Sequence, residues 1–309
     1  MKKKLIAKVM ACGIAVSMLW NPVAVCAEEN SEGGEEGEEA EYITEESYVE
    51  DFEDQEYVEV SDWEVIAEQD AEAFEESIGM TDEEVLELYN EYVENNSGST
   101  SRFRKRSFMA SEAADSERLL NGFVEDAAAK GIIKNNAVQK LALSKAVIRT
   151  QFKLVAKAAK GLGWETASAM LDHSLQNKPS NLAYSSDSKF AKQIAESTEC
   201  DAIVEDFKEQ VEGLDISEKS IKSSTTLNST TDLHLSYNKV SYEVVGKKVD
   251  GKWNLKITFY DRYDFETQAW EDSISIGSIV KILNNYAAYA QEVGAIVPYD
   301  IKVTVEKSF

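Results

Sequence analysis

Apolar and polar positions alternate strictly in two runs of the chain. Val240, Tyr242 and Val244 are separated by Ser241 and Glu243, and Trp253, Leu255, Ile257 and Phe259 by Asn254, Lys256 and Thr258. A period of two predicts half-buried strands. Asp250-Gly251 between the runs predicts a two-residue hairpin turn. A last strand is expected after Pro298, with Tyr299, Ile301, Val303 and Val305 on one face. Upstream the period is that of a helix. Residues 112–130 set Leu119, Leu120, Phe123 and Val124 in one stripe, and 131–160 do the same with Leu141, Leu143, Val147, Ile148, Phe152, Leu154 and Val155. Gly161-Leu162-Gly163 closes the second of these helices. Shorter helices are expected at 165–176 and 188–212, and another at 276–293, closed by Gly294. There is no internal repeat. The order predicts an α+β fold: a helical middle region, then a C-terminal antiparallel sheet with one helix packed on it.

The first hundred residues read differently. Lys2, Lys3 and Lys4, an apolar run to Trp20 and the Val25-Cys26-Ala27 triplet predict a secretory signal over 1–27, cleaved near Ala27. Lys8 and the short apolar run speak against a spanning anchor. Lipidation at Cys26 would want Gly or Ala where Val25 stands. Residues 28–60 are Glu- and Gly-rich and are expected to be disordered. Within the acidic stretch 28–100, Ser61-Asp-Trp-Glu64 and Thr81-Asp-Glu-Glu84 fit capping boxes. The second would open a short helix through Val85, Leu86, Leu88, Tyr89 and Val93. A basic linker and helix follow at 101–130, and an α+β domain at 131–309. The run Arg102-Phe-Arg-Lys-Arg106 reads either as a basic linker or as a processing site that releases an acidic segment.

Charge sharpens this division. Residues 28–100 hold 29 Asp and Glu and no Lys or Arg, whereas residues 101–309 hold 28 of each sign. The net charge of −25 therefore sits in one N-terminal block, which argues against nucleic acid as a partner. With Cys12 and Cys26 in the expected signal, Cys200 alone would remain in a mature chain. That excludes an internal disulfide and cysteine-based zinc or redox motifs.

No acidic residue occurs from 131 to 160, and Lys145, Arg149, Lys153, Lys157 and Lys160 fall within a sector of roughly 120° on a helical wheel. Three readings fit that sector: an ordinary surface helix, a helix lying on an anionic membrane, or a dock for the acidic segment 28–100.

Catalytic signatures are sparse. His173 and His234 lack metal-ligand neighbours at helical spacing, and no phosphate loop, zinc motif or serine-hydrolase elbow is present. The one cluster that carries chemistry is Asp261-Arg-Tyr-Asp-Phe265, at the end of the Trp253 to Phe259 alternation. If the strand continues, Asp261 and Tyr263 face the core, where a carboxylate must be bonded, paired or neutralised. The same residues also suit a strand end in which Asp264 caps a turn. The D-x-Y-D-F string after an antiparallel strand resembles the catalytic motif of the colicin M family, bacteriocins that cleave the phosphoester linkage of the peptidoglycan precursor lipid II. That family continues with a His-Arg pair six and seven residues after the second Asp, and this chain has Trp270 and Glu271 there. The resemblance implies a phosphoester hydrolase in which Asp261 and Asp264 hold Mg²⁺, Ca²⁺ or a phosphate-bound water, with Tyr263 orienting the substrate and His234 or Arg262 in place of the missing pair. The preferred expectation is an exported, non-enzymatic protein without cofactor that contacts an envelope component or anionic membrane surface.

Overall fold

The computed structural model describes residues 52, 55–60, 78–96, 108–265 and 286–309. The expected signal, the capping box at 61–64, the basic run at 102–106 and positions 270 and 271 lie outside the described residues. So does most of the expected helix at 276–293.

Helices come first along most of the chain. The capping box at Thr81 forms: its hydroxyl accepts from the Glu84 amide at 3.3 Å, and the Glu84 carboxylate accepts from the Thr81 amide at 2.8 Å. This opens α1 (Asp82–Asn96). The next helix, α2 (Phe108–Ala129), ends where Gly131 adopts a φ of 74°. The Gly131 amide then bonds Ala128 and the Ile132 amide bonds Ala127, which seals the helix end. For that reason the basic helix expected from 131 starts only at Ala137, with the Asn136 side chain capping the Gln139 amide; it is α3 (Ala137–Gly161). Leu143, Val147, Ile148 and Phe152 of α3 are buried against α1, α2 and residues 286–296. At ~1.5–3 kcal/mol for each such side chain, that stripe is a main source of cohesion in the helical layer.

Beyond Gly163, α4 (Glu165–Ser174) faces both cores, with Met170 towards the sheet and Leu171 among the helices. The single helix expected at 188–212 is two, α5 (Lys189–Ala195) and α6 (Thr198–Val211). Ser197 breaks it: its hydroxyl accepts from the Cys200 amide at 3.1 Å and restarts the chain as α6. A further short helix, α7 (Thr231–Ser236), follows.

The sheet has six strands in the order β1-β2-β6-β5-β4-β3. They are β1 (Val58–Val60), β2 (Leu182–Tyr184), β3 (Glu218–Thr226), β4 (Lys239–Val249), β5 (Lys252–Tyr263) and β6 (Tyr299–Ser308). The fold is α+β, and β4, β5 and β6 pair antiparallel as the alternation predicts, while β3, which no alternation marks, adds antiparallel beside β4. Asp250 and Gly251 both have positive φ, 52° and 83°, and close the β4–β5 hairpin. Two features depart from expectation. First, β1 and β2 add in parallel beside β6, so the sheet is mixed. Residues 58–60 of the acidic stretch are thus part of the sheet. Second, the helices laid on the sheet are α5 and α6, joined by Met170 of α4 and Leu233 of α7. The described helical residues 286–292 instead pack among α1 to α4. Close packing is evident at Gly246, where an added Cβ would lie 2.3 Å from the Phe207 ring.

Candidate functional site

The β5 end follows directly from strand alternation. Trp253, Leu255, Ile257, Phe259, Asp261 and Tyr263 share the inner face. Asp261 lies opposite Ile301, and Tyr263 opposite Tyr299, on β6. Arg262 faces outwards, where its Nη1 sits 3.4 Å from Asp300, so Asp261 and Asp300 stand on opposite faces of the sheet. The Asp261 carboxylate accepts from the Arg262 amide at 2.9 Å. Loss of water holds its carboxyl well above the usual carboxylate range; the Arg262 amide opposes this, and Asp264 and Asp300 add to it. Tyr263 is buried, and its hydroxyl is pushed up by burial and then by Asp261. Its ring lies 5.4 Å from Tyr299 and 5.3 Å from Phe265. Asp264 is exposed.

The histidine beside this cluster is His173. Its ring packs edge-on against Tyr299 at 4.5 Å, while the Tyr299 hydroxyl donates to the Met170 carbonyl at 3.0 Å. His173 Nε2 is 2.8 Å from the Ser180 carbonyl, and Nδ1 is 3.1 Å from the Gln176 amide nitrogen. Both ring nitrogens are therefore engaged as in a neutral imidazole, and burial pulls the pKa down. His234 is on α7 with an exposed side chain, and it is not among the groups that perturb Asp261. The structure thus joins Asp261 to Tyr263, with Asp264 within electrostatic reach, and does not join His234 to them. Cys200 is buried, with its thiol pushed up to about 11, too high for a nucleophile at neutral pH. Among the described residues no group of three or more His, Cys, Asp or Glu is placed to hold a metal ion.

The five basic residues of the expected sector on α3 do not share one environment. Arg149 is 5% exposed, so it does not face outwards. Its Nε donates to the Ala295 carbonyl at 2.9 Å and its Nη1 to Asn177 at 2.7 Å. Longer contacts run from Nη2 to the carbonyls of Gln176 and Gly294, 3.4 and 3.5 Å. Lys145 is half-buried, its pKa lowered by burial and then by Arg149. Lys153 pairs with Asp82 at the start of α1, which lays acidic-segment residues against α3. Only Lys157 and Lys160 are exposed.

Sequence reasoning missed two buried carboxylates. Asp232 of α7 receives the amides of Thr166 and Ala167, at 3.1 and 2.9 Å, and so caps α4 from a distant helix. Asp300 is buried beneath residues 55–57, and burial raises its pKa against the pull of Arg262 and Gln55. Neither has a local signal, since both depend on contacts between segments far apart in the chain. Comparison with known proteins found no matching family model, no curated relative and no matching solved structure.

Proposed function

We propose that the protein is an exported, non-enzymatic interaction protein of the cell envelope that touches an anionic membrane surface through the corner between α2 and α3. One observation carries this reading. Ile132, Val138 and Leu141 are exposed there at 40%, 77% and 46%, within a stretch free of acidic residues. Lys134 stands exposed among them. Lys130 and Lys140 flank the corner in surface pairs with Asp126 and Glu125, both at 2.7 Å. Such pairs are weak and readily exchanged for lipid phosphates. Apolar side chains ringed by lysines suit the boundary between headgroups and acyl chains. Contact through this corner replaces contact through the flank of α3, where Arg149 is buried and Lys153 already paired. No helix among the described residues is long and apolar enough to cross a membrane. Sedimentation of the purified chain with phosphatidylglycerol-containing vesicles and with neutral vesicles tests the proposal. Binding is expected only to the former, and the double variant Val138→Asp/Leu141→Asp is expected to lose about tenfold or more. Equal binding to both vesicles, or an unaffected double variant, overturns it.

A second reading is favoured by the raised carboxyl of Asp261 beside Tyr263. In it the β5 end is a hydrolytic site for an isoprenoid pyrophosphate, with Asp264 at its exposed rim. It expects phosphate release from a lipid II analogue in the presence of Mg²⁺ or Ca²⁺, abolished by Asp264→Ala. Absence of release with either ion ends this reading.

A further inference from the structure

At the opposite end of the sheet from Asp261, the C-terminal turn of α6, the 212–215 turn, the β4–β5 hairpin and Phe309 enclose an open cavity of about 720 Å³. Two aromatic residues, Trp253 and Phe309, line it. The buried Phe207 backs them from the core, edge-on to Trp253 at 5.4 Å and to Phe309 at 6.4 Å. Trp253 and Phe309 are locked together by reciprocal backbone bonds of 2.9 and 3.0 Å, so the two rings are held by the sheet itself. Each ring already carries a cation: Lys208 Nζ lies 5.2 Å from the centre of Phe309 and Lys248 Nζ 6.0 Å from the centre of Trp253. Both distances are those of cation–π contacts. The rim adds the carboxylates of Glu205, Glu209, Glu212 and Asp215, twice the number of lining lysines, and only Glu205 is bonded to Lys208.

We propose that this cavity binds an organic cation of the trimethylammonium type, which takes the place of the Lys248 ammonium over Trp253. The chemistry is the attraction of a poorly hydrated cation to ring faces, reinforced by the acidic rim. A lysine ammonium is compact and strongly hydrated, so it is the weaker occupant of such a surface. The site lies away from the α2–α3 corner and does not depend on the membrane reading.

The test follows the Trp253 indole resonance of the full chain by NMR, identified by its loss in Trp253→Phe. The titrants are choline and its uncharged carbon isostere, 3,3-dimethylbutanol. A saturable shift with choline and none with the isostere is expected. Lys248→Met, at an exposed position, is expected to tighten choline binding severalfold by removing the resident competitor. Phe309→Leu is expected to weaken it about tenfold. Equal responses to choline and the isostere overturn the proposal, as does a shift that does not saturate. Choline affinity unchanged in Lys248→Met overturns it as well.

Discussion

Arg149 in the helical layer and Asp261 at the end of β5 are charged side chains drawn into a protein interior, and their surroundings are opposite in kind. Arg149 is met by four oxygen acceptors from two segments, 176–177 and 294–295. Its delocalised, weakly hydrated cation finds in carbonyl dipoles a replacement for water. Asp261 receives the amide of its own neighbour and then feels the negative charges of Asp264 and, through the sheet, Asp300. The first arrangement stabilises a charge and the second works against one. A satisfied buried ion is a structural clamp, whereas a carboxyl held against ionisation is the environment in which acid–base chemistry is found. A charged side chain drawn inwards therefore does not by itself declare its purpose.

Breaking the clamp should have the largest effect. Arg149→Met keeps much of the apolar stem but strands the carbonyls of residues 176, 294 and 295. The expected loss is about 3–5 kcal/mol, as for removal of one partner from a buried polar network. Urea unfolding followed by far-ultraviolet circular dichroism measures it. A loss below about 1 kcal/mol would mean that water reaches those carbonyls and that Arg149 is no clamp.

The same contrast explains what could be read from the chain in advance. Local patterns carried well. The 250–251 turn, the inward alternation of β5 and β6, and the Gly163 and Gly294 stops depend on residues near one another in sequence, and all are present. Longer-range features did not carry. β3 holds one apolar residue, Ile221, in nine, so nothing in its own sequence marks it as a strand. β1 and β2 are three residues each and gain meaning only by pairing 58 with 182 and 182 with 301. The basic sector of α3 was legible as a face, but periodicity does not say what covers a face. Residues 294 and 295 cover Arg149, and Asp82 reaches Lys153. At the β5 end, alternation put Asp261 and Tyr263 on the inner side, yet it could not show that His173 on α4, rather than His234, would stand beside Tyr299.

A smaller effect, of opposite sign, sharpens the comparison at Asp261. Its carboxyl is raised in the folded protein above the ~3.9 of an unfolded chain. Folding then favours the neutral form: the contribution is full below the unfolded pKa and is lost as pH rises through the folded one. By neutral pH that contribution has diminished, and the desolvated carboxyl is a burden on the fold. Asp261→Asn keeps an oxygen for the Arg262 amide and removes the ionisation. The variant should match the parent near pH 4 and exceed its stability by about 1–2 kcal/mol at pH 7, where desolvation of the acid counts against the parent. Paired urea melts at the two pH values give the answer. If Asp261→Asn were destabilising by the same amount at both, the carboxylate would be a structural fastener of the same kind as Arg149. A pH-dependent gain instead marks the β5 end as the one of the two sites where stability has been given up for an acid that is hard to ionise.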